Sequence, residues 1–232
     1  MSEEQTVTAE ETSEMSFMGK FLGVITSPYN TFLEICKKPT WLVPILISIV
    51  VSVLATYQAM PLIIDMSVEQ MQTQNPNMSE AQIDQAVNVM QMTIPFAPIV
   101  TVPLMSLFTA GLMMLIGSVF MGGKSNFKTV FSVVTWGAPV TVIIAIVQML
   151  LRMVTGTMES ATSLLFLASD APKDSVLYFL LSQIDLMMVW AIAIAGLGFA
   201  AAYNFAAKRG LIVAFVAWIA VIVIIAGFKA AF

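Results

Sequence analysis

Gln148, Arg152, Asp185 and Asn204 interrupt stretches of this chain that are otherwise apolar. An ionisable group inside such a stretch is costly to bury, so it marks a buried pair or a path for ions and protons. Arg152 ends one apolar stretch and Asp185 begins the next, both on the same expected side of a bilayer. An ion pair joining two helix ends is the plainer expectation, and a transport site the sharper one. Gln148 and Asn204 are uncharged and act only through hydrogen bonds. Catalysis has little to work with. The chain has no histidine, so a Ser–His pair and His-ligated haem are excluded. It has no G-x-S-x-G elbow. Its one cysteine, Cys36, forms no internal disulfide, and the chain lacks the Cys/His set of a structural zinc site. Cys36 reads as a small apolar residue on a helix face. Gly122-Gly123-Lys124-Ser125 looks like the end of a phosphate loop, but the preceding strand and the first glycine are missing. No catalytic, cofactor-binding or metal-binding residue is assigned, and the chain is read as a protein that is not an enzyme.

Whatever these groups do, apolar helices must position them. Five apolar stretches run over residues 41–60, 96–121, 127–151, 177–205 and 211–228. Each meets or approaches the roughly 20 residues that a helix needs to cross a bilayer. Hydrophobic residues make up 59% of the chain and charged ones 10%, against about 25% charged in ordinary soluble domains. The expected fold is all-α: a polytopic membrane bundle of five transmembrane helices, preceded by a cytoplasmic amphipathic helix. The net charge of −4 says little about partners, but the lack of a basic run argues against nucleic acid. Membrane lipids are the expected partners, with a protein partner or a second copy of the chain beside them.

Positive charge in short links faces the cytoplasm. With five crossings, Lys20, Lys37, Lys38, Lys124, Lys128, Lys208 and Arg209 share one side. Arg152, Lys173 and Lys229 take the other, with acidic residues such as Asp65, Glu69, Glu80 and Asp84. The expectation is N-terminus in, C-terminus out. Residues 1–16 form an acidic tail with no apolar core, unlike a signal peptide, and read as disordered. Residues 17–38 read as an amphipathic helix on the membrane surface, with Ser27 as an N-cap and Pro28 in the first turn. Residues 39–232 form the membrane domain. Its longest polar insertion, 61–95, reads as a helical hairpin over the outer surface. Asn75-Pro76-Asn77 makes the turn, and Ser79 with Gln82 makes a capping box. In the fourth stretch the crossing proper runs from near Asp185 to near Phe205. The pairs Ala191/Ala195 and Gly198/Ala202 give it small-residue spacing for close helix packing. Pro98 and Pro103 in the second stretch and Pro139 after Gly137 in the third free backbone carbonyls, as in broken transporter helices.

Three blocks together resemble one family. The first is Thr26-Ser-Pro-Tyr-Asn-Thr-Phe-Leu-Glu-Ile-Cys-Lys-Lys-Pro-Thr-Trp-Leu-Val-Pro44. The second runs from Gly122-Gly123-Lys124-Ser125-Asn126-Phe127-Lys128 to Phe131-Ser132, followed by Trp136-Gly137-Ala138-Pro139. The third is Ile184-Asp185-Leu186 with Trp190 and Gly196-Leu197-Gly198. In this order and placement they resemble the Yip1-domain membrane proteins over about residues 20–230. The resemblance implies a five-helix membrane domain. Eukaryotic members are linked to vesicle trafficking and to Rab-type GTPases bound at the cytoplasmic side. The short N-terminal region here is similar to that of bacterial relatives, which implies the bacterial inner membrane. Two functions follow as expectations. One is a non-enzymatic membrane protein acting through protein or lipid contacts. The other is a transporter, channel or lipid-moving protein with a polar site near Asp185.

Overall fold

A computed structural model describes residues 15–156, 162–168, 171–172 and 175–231 of the chain. The expected acidic tail, apart from Met15 and Ser16, lies outside the described residues. The expected single surface helix over 17–38 is instead two helices, α1 (Phe17–Thr26) and α2 (Pro28–Lys37). The break follows from Ser27-Pro28, because proline lacks an N–H and disfavours helical backbone in the residue before it. Ser27 takes φ −144° and ψ 63°, and its side chain makes no cap bond, contrary to expectation. The pair buries one face in the bundle and leaves Met18, Leu22 and Lys37 exposed on the other. Val24 and Ile35 are fully buried, and Thr31 and Phe32 nearly so. Gly23 lets α1 sit on Thr31, whose Oγ1 would lie only 2.5 Å from an added Cβ.

Helix α3 (Leu42–Gln74) runs unbroken through Pro61. Its 33 residues reach about 50 Å, well beyond the roughly 30 Å hydrocarbon layer. The turn at Asn75-Pro76-Asn77 leads into α4 (Glu80–Thr93), where Gln82 Oε1 accepts the Ser79 N–H at 2.9 Å. A single 3₁₀ turn over Ile94–Phe96 joins α4 to α5 (Ala97–Met114), which ends in a π-turn over Leu115–Phe120. The polar insertion is thus no separate layer over the membrane surface. Its two arms extend the first two membrane helices.

The third apolar stretch is broken, as its proline predicts. Helix α6 (Phe127–Thr135) stops, Trp136 and Gly137 turn, and α7 (Ala138–Thr155) begins with Pro139 in its first turn. A short α8 (Val176–Gln183) precedes α9 (Leu186–Ala202), and α10 (Ala207–Ala231) closes the chain. Among the described residues, four segments are long and apolar enough to cross a membrane: Leu42–Gln74, Glu80–Phe120, Phe127–Thr155 and Ala207–Phe228. Helix α9 is apolar but has only 17 residues. Large side chains such as Leu54, Val100, Phe108, Val216 and Val223 are more than half exposed. Such faces suit lipid, not water.

The core gathers at one end, around Trp136, Phe32, Ile35 and Val130. Trp136 Nε1 and Ser132 Oγ both donate to the Thr40 carbonyl, at 2.8 and 2.6 Å, which ties the start of α3 to the α6–α7 break. Glycines set the closest approaches. An added Cβ on Gly198 would lie 2.7 Å from Val133 and 3.2 Å from Phe32. On Gly210 it would lie 2.2 Å from the Gly196 carbonyl of α9.

Candidate functional site

The link between α5 and α6, the turn between α9 and α10, and the carboxyl end of α2 meet at one end of the bundle. Lys37, Lys124 and Asn204 all border the cleft they form, so this is the basic end. The turn residues Tyr203 and Phe205 hold the cleft together. Phe199, Tyr203 and Phe205 form an aromatic cluster with ring centroids 5.2–6.0 Å apart. The Arg209 guanidinium sits 4.4 Å from the Phe205 ring centroid. Tyr29 of α2 donates its hydroxyl to the Phe205 carbonyl at 2.9 Å. Gly123 fits between the two turn rings, since an added Cβ would lie 2.7 Å from both Phe205 and Tyr203. Gly122 takes φ +67°, a backbone that glycine adopts at little cost. Ring contacts thus account for Gly123, and backbone conformation for Gly122.

The cleft encloses about 590 Å³. Asn30, Glu34 and Lys37 of α2 form one wall. Lys124, Ser125 and Asn126 form a second, and Ala202 and Asn204 a third. Lys37 pairs with Glu34 at 2.5 Å. Lys124 is exposed at the rim. Asn126 caps α6 by accepting the Thr129 N–H at 2.9 Å. Cys36 also lines the cleft, and burial pushes its thiol up to about 11, so it stays protonated at neutral pH. Amides, hydroxyls, the Lys37–Glu34 pair and the exposed Lys124 equip the cleft to hold a polar or anionic group. They supply no nucleophile with its base.

The polar residues singled out in the sequence do not assemble into one site. Asp185 is buried and serves as the N-cap of α9. Its carboxylate accepts the N–H groups of Met187 and Met188 at 2.7 and 3.1 Å and the Thr162 hydroxyl at 2.5 Å. The expected pair with Arg152 is not among the ion pairs of the described residues. Arg152 lies in the last turn of α7, where its charge suits the helix dipole, and its buried Nε has no hydrogen-bond partner. Gln148 is half-buried on α7. Asn204 is not inside a span but in the turn after α9, in left-handed backbone (φ 53°) that Asn tolerates better than most residues. Gly198 and Ala202 are buried, Ala191 is half-buried and Ala195 is exposed. The cleft residues Asn30, Ser125 and Asn126 were no sequence candidates. They come from links far apart in the chain, and no local pattern joins them.

The first sequence block meets the second at Thr40–Trp136 and the third at Phe32–Gly198. No curated protein and no solved structure matches the chain. A family model, the Yip1 domain, matches residues 22–228, nearly the whole chain. This multi-pass helical membrane protein therefore belongs to the Yip1-domain family.

Proposed function

We propose that this protein is a non-enzymatic scaffold of the bacterial inner membrane that works through the cleft at its basic end. The observation that carries the reading is the cleft itself, the largest of the cavities described here. It is polar and built from three separate links. In this reading the basic end faces the cytoplasm and α9 makes the fifth crossing. Its 17 residues span about 26 Å, close to the thickness of the hydrocarbon layer. The crossing order then puts the N-terminus inside and the C-terminus outside. The occupants are lipid headgroups and a protein segment that docks over them. Pairing between copies remains open to the lipid-facing surfaces, since α9 spends Gly196 and Ala200 on α10.

The geometry does not favour a transport site at Asp185, because that carboxylate is committed to capping. The test is purification with native lipids, followed by mass spectrometry of what accompanies the protein. Lys124→Glu and Asn30→Arg alter the cleft without touching the core. A lipid or protein that accompanies the wild type should be lost from both variants. Identical companions on wild type and variants would refute the cleft as the working surface.

A further inference from the structure

Two cavities flank the α6–α7 break and share Thr109, Val134, Gly137 and Thr141 in their walls. The smaller, about 230 Å³, is lined by hydroxyls from three parts of the chain: Ser48 and Ser52 on α3, Ser106 and Thr109 on α5, and Thr135 and Thr141 flanking the break. The larger, about 400 Å³, continues between α7 and α9 along Val140, Ile144, Ala191 and Ile194. Ligand pockets commonly enclose about 300–1,000 Å³, and an apolar cavity of about 150 Å³ already takes up a benzene. No charged side chain lines either lobe. An ion moved here would shed its hydration without gaining a counter-charge.

Three of these hydroxyls are also oriented. Ser106 Oγ donates to the Val102 carbonyl at 2.8 Å, Thr135 Oγ1 to Ser132 at 3.0 Å and Thr141 Oγ1 to Gly137 at 3.4 Å. With their protons turned back on the helices, these oxygens offer lone pairs to the cavity. A matching head must therefore bring its own O–H or N–H donors. The adjoining apolar lobe suits a chain. We propose that the two cavities, divided only by the residues they share, act as one site that binds an uncharged single-chain amphiphile. Its hydroxyl- or amide-bearing head lies among the serines and threonines, and its chain lies between α7 and α9. This site is separate from the basic-end cleft and does not depend on the role proposed for it.

A monoacylglycerol with a photoactivatable diazirine in its chain is the probe, applied to the protein in phosphatidylcholine nanodiscs. Peptide mass spectrometry then maps the adducts. Adducts are expected within residues 138–144 and 191–195, displaced by 1-monooleoylglycerol about tenfold better than by oleate at pH 8, whose head is charged. Thr135→Val and Thr141→Val keep the shape but remove an acceptor, so each should weaken displacement about three- to tenfold. Ala195→Phe should fill the apolar lobe and abolish the adducts. If that variant does not fold, the two threonine variants decide. Equal displacement by oleate, unchanged binding by both threonine variants, or adducts spread evenly over the exposed faces of α5 and α10 would each overturn the proposal.

Discussion

Replacing Gly210 by alanine tests whether α9 is held in the bundle by direct backbone contact with α10. The added Cβ would lie 2.2 Å from the Gly196 oxygen, 2.6 Å from the Ala200 Cβ and 3.0 Å from the Ala200 nitrogen. Real Cβ contacts essentially never fall below 3.0 Å, so the helices must part by about 0.8 Å. The obstacles include backbone atoms, which no rotamer change can clear. A gap of 0.5–1 Å forfeits about a quarter to a half of the dispersion energy of each affected contact. Overpacking of this kind costs about 1–3 kcal/mol, against about 1 kcal/mol of helix propensity gained by losing a glycine. A net loss of up to about 2 kcal/mol is expected, which places the variant about 1–3 kcal/mol below a glycine-to-alanine change made without overpacking. Gly111→Ala is the control, since nothing lies within 4 Å of its added Cβ, and it should be neutral or more stable by up to about 1 kcal/mol. Reversible unfolding in mixed micelles, with helicity followed by circular dichroism, reads both variants. If Gly210→Ala is as stable as Gly111→Ala, the α9–α10 seam is not the close contact described, and the case for α9 as a packed fifth crossing weakens with it.

Cys36 alkylation should report its burial. With the thiol at about 11 instead of 9.0, the thiolate fraction at pH 8 is about a hundredfold below that of an ordinary cysteine. The rate should rise about tenfold per pH unit toward pH 11, and a rate at pH 8 equal to that of a free thiol would contradict the burial. Asp185→Ala should cost about 0.5–2 kcal/mol through loss of the α9 cap, and Arg152→Ala should add to it independently. A coupling above about 0.5 kcal/mol in the double-mutant cycle would restore the expected ion pair. Trp136→Phe removes one of two donors to the Thr40 carbonyl and should cost about 1–3 kcal/mol. Adding Ser132→Ala should cost more than the sum of the two changes, because the carbonyl is then left without a side-chain donor. Strict additivity would show that the two donors do not share one acceptor.

What the sequence discloses and what it hides divide along the reach of the interactions. The turn at Asn75-Pro76-Asn77, the Ser79–Gln82 cap and the break at Gly137-Ala138-Pro139 depend on neighbours within four residues, and all are legible. Asp185 carried a local signal too, since an aspartate just before an apolar helix is a good N-cap. Its charge inside a long apolar run pointed instead to a membrane ion pair. Small-residue spacing marks α9 as a packing helix, but eight small residues leave such pairs on several of its faces. Only the fold selects Gly196 for α10 and Gly198 for Phe32 and Val133. The hydroxyls at the α6–α7 break lie on α3, α5, α6 and α7 and share no spacing at all.

The N-terminal helices show how this difference changes an experiment. Read from sequence, residues 17–38 form a strap on the membrane surface, and deleting them isolates its docking role. In the fold Val24, Phe32 and Ile35 are core residues, and Tyr29 ties α2 to the turn after α9. Truncating even one buried side chain of this size costs about 2–5 kcal/mol, against a total stability of about 5–15 kcal/mol for a typical domain. Deleting the segment removes three of them and opens the cleft at once, so a lost partner would report unfolding as readily as a lost contact. The cleft rim separates the two. Lys124 and Asn30 are exposed and lie outside the core, so exchanging their charge or size should change what binds while the unfolding transition stays where it was. A partner lost at constant stability identifies a docking surface. A partner lost together with stability shows that the basic end is a clasp for the bundle.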